Sequence, residues 1–190
     1  MSAALIYIHG FNSSPASFKA RVLQSALAQR APAVSFTAPA LPHSPQVAAR
    51  LLDELVAANP GAVLVGSSLG GYYATWLAER HALRAVLVNP AVRPYELLAG
   101  HVGRQKNLHT GEEYDFTPAH VAELRALECP AITPQHYLLM VETGDEVLDY
   151  RQAVERYRGA RQLVIEGGDH GFGDFEKYIE AVFEFCGFAF

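Results

Sequence analysis

Three residues spread across this chain have the types and the order that nucleophilic acyl transfer needs. Ser68 lies at the centre of Gly66-Ser67-Ser68-Leu69-Gly70, a G-x-S-x-G pattern that follows an apolar run and precedes a helix-compatible stretch. A serine presented this way sits on a sharp turn, and its glycine neighbours let strand and helix approach. Chance supplies the bare pattern about 0.05 times in a chain of this composition, so its surroundings carry the weight. A serine hydroxyl is a poor nucleophile until a base takes its proton. His170, in Gly167-Gly168-Asp169-His170-Gly171, is expected to be that base, and Asp145, in Gly144-Asp145-Glu146, the acid that orients it. Asp149 is the alternative acid, read as already inside the next helix, whereas Asp169 is expected to shape the histidine's turn. The order serine, acid, histidine suits a nucleophile raised above an α/β sheet.

Acyl transfer passes through an oxyanion that two aimed N–H groups stabilise, and losing one costs about 2.7–4 kcal/mol. The amide of Leu69, next after the nucleophile, is expected to give one, and that of Phe11, in His9-Gly10-Phe11-Asn12, the other. The Phe11 ring and Asn12 would then wall the substrate cleft. Asn89, Arg93 and Tyr95, within Asn89-Pro90-Ala91-Val92-Arg93-Pro94-Tyr95, either line that cleft or anchor the segment above it. His9 is expected to brace the oxyanion loop and Ser67 to point away from the site. The remaining histidines, at 43, 81, 101, 109, 120 and 136, show no paired ligand spacing, and Gly66–Gly71 lacks the Lys-Ser/Thr of a phosphate loop. No metal and no cofactor is expected.

These residues need a frame. Short runs rich in Val, Ile and Leu recur at Ala4–Ile8, Ala33–Phe36, Ala62–Val65, Ala85–Val88, Tyr137–Val141 and Gln162–Ile165, the pattern of strands buried on both faces. Helical spacing fills Ser17–Gln29, Pro45–Ala58, Leu69–Glu79, Leu148–Tyr157 and Phe175–Phe185. Alternating strands and helices predict a three-layer α/β fold, a mostly parallel sheet of about six strands with helices on both faces. The polar, aromatic interval from Val92 to Pro130 breaks the alternation and predicts a small helical cap, with one helix starting at Thr117-Pro118. A single domain over 1–190, with this insertion at about 92–130, is the expectation.

With 15 basic and 20 acidic residues among 190, the net charge is −5, and no Lys/Arg run offers the phosphate contacts of a nucleic-acid surface. No stretch reaches the roughly 20 apolar residues of a membrane span, and the N-terminus has no basic leader, so a cytoplasmic protein is expected. Cys129 and Cys186 read as reduced thiols. The apolar ending Phe183–Phe190 fits either the core, which is the expectation, or the surface of a homodimer.

His9-Gly10-Phe11, the serine pattern, Gly144-Asp145 and His170 together resemble the α/β-hydrolase superfamily over essentially the whole chain. The segments Tyr7-Ile8-His9-Gly10-Phe11-Asn12-Ser13-Ser14, Asn89–Tyr95, Thr110-Gly111-Glu112-Glu113-Tyr114 and Gly168-Asp169-His170 look like the YqiA-type esterases, small bacterial proteins that lack the superfamily's first two strands. That resemblance implies hydrolysis of a small-molecule carboxylic ester or acyl thioester by Ser68, Asp145 and His170. A non-catalytic binding protein of the same fold, a C–C hydrolase and a peptidase are the other readings, because fold does not fix function.

Overall fold

The six apolar runs become six strands of one parallel sheet in a computed structural model, which describes residues 3–107 and 109–188. In chain order the strands are β1 (Ala4–Ile8), β2 (Ser35–Thr37), β3 (Val63–Ser67), β4 (Ala85–Val88), β5 (Gly103–Lys106), β6 (Glu113–Phe116), β7 (Tyr137–Glu142) and β8 (Arg161–Ile165). The sheet runs β2-β1-β3-β4-β7-β8, and every neighbouring pair is parallel. The second apolar run is displaced toward its C-terminal end, because β2 is an edge strand held only by three pairings with β1.

Alternate side chains of each strand enter different layers, which is why the runs are continuously apolar. Ile6, Leu64, Leu87 and Leu139 face α2 (Pro45–Ala58), α3 (Leu69–His81) and α6 (Tyr150–Arg156). Leu5, Tyr7, Val65, Val86 and Met140 face α1 (Phe18–Arg30) and α7 (Ile179–Cys186). Local chemistry agrees with these positions: Ser44 caps α2 by accepting the Val47 amide at 3.3 Å, with Pro45 as the first helical residue. Phe183, Cys186 and Phe188 are buried beside α1, so the apolar ending packs inward as far as it is described; Ala189 and Phe190 lie outside the described residues.

The interval from Val92 to Pro130 carries α4 (Pro94–Leu98) and α5 (Pro118–Ala126), the latter capped by Thr117 as its sequence implies. Between them lies an antiparallel hairpin, β5–β6, that the helical expectation did not include. The hairpin's outer face is polar and closed by Arg104, whose guanidinium reaches Glu113 at 3.1 Å and Asp115 at 3.7 Å, while Tyr114 and Phe116 on its other face pack against the core. Among the described residues no helix is long and apolar enough to cross a membrane.

Candidate active site

Parallel strands all end at one edge, and the residues that sequence reasoning singled out meet there. β3 ends at Ser67, and the chain turns into α3 at Ser68 with φ 55° and ψ −122°. A side chain in that region costs about 1–3 kcal/mol and persists only where its surroundings enforce it. Here they do: the Ser68 amide donates to the Val88 carbonyl at 3.0 Å, and its carbonyl accepts from Gly71 at 2.9 Å and Ala91 at 3.1 Å. The motif's flanking glycines are required by contact. A Cβ on Gly70 would stand 1.9 Å from the Ile8 carbonyl oxygen, and one on Gly66 would stand 2.4 Å from that of Gly70. Gly70→Ala is therefore expected to cost at least about 3 kcal/mol, lowering Tm by roughly 6–12 °C. An unchanged melting curve would contradict this packing of α3 on β1.

His170 stands on the loop after β8. Its Nε2 lies 3.0 Å from Ser68 Oγ, and its Nδ1 lies 2.8 and 3.0 Å from the two carboxylate oxygens of Asp145. The Asp145 side chain is 1% exposed, and its Oδ1 also accepts the amides of Val147 at 2.9 Å and Leu148 at 2.8 Å. Burial works to raise its pKa, yet the hydrogen bond from His170 and then the Leu148 and Val147 amides bring it below the ordinary aspartate value. Asp149 instead caps α6 by accepting the Arg151 amide at 3.0 Å, which removes it as the alternative acid. Asp169 turns its carboxylate toward Gly171 of its own loop. Ser67 is buried and lies with Val65 on the α1 side of the sheet, away from the Ser68 side chain.

The loop after β1 closes the other side. Gly10 abuts Ser68 so closely that a Cβ there would be 3.1 Å from the serine's own. Leu69 is the first residue of α3, so its N–H has no acceptor within the helix and is available at the turn. His9 is buried; its Nε2 accepts the Leu41 amide at 3.3 Å, which leaves Nδ1 to carry the proton and donate to the Gly10 carbonyl at 3.0 Å. Burial keeps its pKa low. The hairpin holds the same loop: the Tyr114 hydroxyl donates to Asn12 Oδ1 at 2.7 Å, and Asn107 Nδ2 to the Ser13 carbonyl at 2.9 Å. The Phe11 ring packs edge-on against Phe116, with centroids 5.4 Å apart.

The model of an uncharacterised protein family, UPF0227, matches residues 4–187. The chain belongs to that family. The UPF0227 protein YcfP of Salmonella paratyphi A is 25% identical over 183 residues, covering 94% of this chain and 96% of the relative. Solved structures similar to this UPF0227 member include a putative hydrolase from Agrobacterium vitis S4, with TM-score 0.72 and 16% identity over 97% of this chain and 88% of that one. Another is the carboxylesterase CesB from Bacillus subtilis, with TM-score 0.64 and 18% identity over 98% and 84% of the two chains. These likenesses establish the α/β-hydrolase fold, as the YqiA-type resemblance implied.

Two of the residues expected to contact substrate in this UPF0227 chain are structural instead. Asn89 is 2% exposed with its amide bonded on both sides, so it cannot reach a ligand. Tyr95 is also buried, its hydroxyl donating to Glu128 at 2.8 Å and its ring lying under Arg125, which fastens α4 to α5. Arg93 is exposed and pairs with Glu96 at 3.4 Å. Phe11 and Asn12 border a cavity of about 40 Å³ that also touches Leu69, Tyr73 and Phe116. Beside the Ser68 turn, a 270 Å³ cleft is lined by Pro90, Ala91, Leu97, Val147 and Leu148, and a 470 Å³ groove beside α6 shares Val92, Arg93 and Gln152 with it. Sequence reasoning missed Leu97, in α4, and Val147 and Leu148; for the last two, an apolar residue inside the loop after a strand was the available signal.

Proposed function

We propose that this chain is a serine hydrolase that cleaves carboxylic esters or acyl thioesters through an acyl-enzyme. The observation that carries the reading is the unbroken run of hydrogen bonds from Ser68 Oγ through the His170 imidazole to the buried Asp145 carboxylate. Ser68 Oγ attacks the acyl carbonyl carbon while its proton passes to His170 Nε2. The negative charge that develops on the carbonyl oxygen is met by the amides of Phe11 and Leu69. As the tetrahedral intermediate collapses, the bond to the alcohol or thiol breaks and the leaving atom takes the proton from Nε2. Water then attacks the acyl-serine, giving its proton to the same nitrogen; Ser68 recovers it and the acid departs. Asp145 keeps the imidazole in the tautomer that accepts at Nε2 and steadies the cation formed.

The acyl chain lies in the 270 Å³ cleft, whose walls hold both ends of the machinery: the Ala91 amide on the Ser68 carbonyl and the Leu148 amide on Asp145. Leu97 and Val147 leave much of their apolar surface uncovered there, 41% and 49% exposed, as a binding cleft requires. The segment 92–130 serves as the cap of a single domain.

A fluorophosphonate probe is expected to modify Ser68 and no other serine; peptide mapping that found the adduct elsewhere would refute the assignment. In a series of p-nitrophenyl esters, Leu97→Asp is expected to lower kcat/KM for the hexanoyl ester about 10-fold more than for the acetyl ester, the scale of one lost apolar side-chain contact. Equal losses on both esters would place the acyl chain elsewhere.

A further inference from the structure

Three buried polar side chains that take no part in the chemistry above converge on the loop that carries His170. They are Asn89 after β4, Glu142 at the end of β7 and Lys19 in α1, which are 2%, 2% and 8% exposed. Asn89 Nδ2 donates to the Asp169 carbonyl at 3.0 Å and the His170 carbonyl at 3.3 Å, while its Oδ1 accepts the Glu142 amide at 3.0 Å. Glu142 Oε2 accepts the Asp169 amide at 2.8 Å. Lys19 Nζ donates to the Gly171 carbonyl. The carbonyls of three successive residues, 169, 170 and 171, thus end on side chains from the end of β4 and from α1.

This grip is not needed merely to fasten the loop. Its start is already tied to β7, by the Gly144 amide on the Gly167 carbonyl at 2.8 Å and the Gly167 amide on Thr143 Oγ1 at 2.9 Å. Its end is sunk into the core by Phe172 and Phe175, both fully buried. What the three side chains add is confined to the peptides around the imidazole. Burying an amide, a carboxyl and an ammonium group costs free energy unless each is bonded, so their convergence on the three-residue stretch 169–171 is a directed expense. The approach is also built for it: Gly168 has φ +73°, and a Cβ there would stand 2.1 Å from Glu142 Cδ. Burial pushes the Lys19 amine down to about 8, and burial together with the neighbouring Asp174 and Asp169 pushes Glu142 upward against the pull of the Asp169 amide.

We propose that Asn89, Glu142 and Lys19 are positioning residues for His170, fixing the height and tilt of the imidazole so that Nε2 meets Ser68 Oγ. None of them touches substrate. The inference rests on the serine-hydrolase reading. A displacement of about 1 Å at a reacting group costs on the order of 100-fold in rate, which sets the scale of the effect.

The test uses the full chain with p-nitrophenyl acetate and a fluorophosphonate probe. Asn89→Asp keeps an acceptor for the Glu142 amide but removes both donors; Glu142→Ala removes the acceptor for Asp169, and Glu142→Gln restores one. In variants verified as folded by circular dichroism at the assay temperature, Asn89→Asp and Glu142→Ala are expected to lower kcat by about 10–100-fold with KM changed less than about 3-fold. Their probe labelling rates should fall in the same proportion, and Glu142→Gln should recover most of the loss. Folded variants with unchanged kcat, or with raised KM alone, would overturn the proposal. Should Asn89→Asp not fold, Glu142→Ala against Glu142→Gln decides by the same criteria, with Lys19→Met as a further arm. If the wild-type chain shows neither turnover nor labelling that depends on Ser68, it is the hydrolase reading that fails. A fully active wild type with equally active variants defeats the positioning role alone.

Discussion

Replacing Ser68 by alanine is expected to lower kcat on an acyl ester by about 10⁶-fold, the scale at which serine hydrolases lose their nucleophile. Labelling by a fluorophosphonate should vanish with it, while circular dichroism stays unchanged because the serine is only partly buried and its backbone bonds remain. A second substitution at the same place separates chemistry from strain. Ser68→Gly should be equally inactive yet more stable, since glycine accepts φ 55° and ψ −122° without the penalty a Cβ brings. After the extra chain entropy that glycine gives the unfolded state, a net gain of about 1 kcal/mol remains, or roughly 2–4 °C in Tm. Substantial ester turnover by either variant would refute Ser68 as nucleophile, and a Gly variant melting below the Ala variant would refute the strain.

Asp145→Asn is expected to lower kcat by about 10⁴-fold with the geometry preserved. The asparagine oxygen can still accept the Val147 and Leu148 amides, but its NH₂ would face His170 Nδ1 and force that nitrogen to accept. The ring proton then sits on Nε2, where it cannot receive the Ser68 proton. The same exchange has a thermodynamic signature. Asp145 titrates below its unfolded value, so the stability it contributes is present above the unfolded pKa and disappears as pH falls through the folded one. Melting curves of wild type and Asp145→Asn should therefore converge as pH drops below about 4. A gap that widens in acid would contradict the hydrogen bonding described for this carboxylate.

The residues proposed to carry the chemistry, and found together at one sheet edge, were legible in sequence because each is marked by its place. Ser68, Asp145 and His170 all follow an apolar run, and each has a glycine next to it or two positions away where chain segments crowd together. Burial was not legible. Asn89 and Tyr95 have side chains suited to a ligand, and nothing in their spacing says that both are sealed inside. Glu142 was missed for the opposite reason: an acid at the end of a strand reads as solvent-facing, although the Gly167-Gly168 pair before His170 marks a backbone that comes close to something. The β5–β6 hairpin escaped because β5 has no apolar residue and β6 alternates over only four, Glu113-Tyr114-Asp115-Phe116, too short a signal to mark a strand by itself.

The insertion between β4 and β7 also has a polymer-statistical consequence. Ala85 pairs with Tyr137, and the intervening chain must close a loop before that pairing forms. Closure entropy grows only as the logarithm of length, so lengthening this loop from about 13 to about 52 residues disfavours the pairing by only about 1.2 kcal/mol. The scaffold is therefore nearly indifferent to how long this segment is, whereas Leu97 belongs to the segment and lines the cleft. Segments of other lengths and compositions could be exchanged between β4 and β7 to reshape the cleft while β3, β7 and β8 continue to present the same three residues.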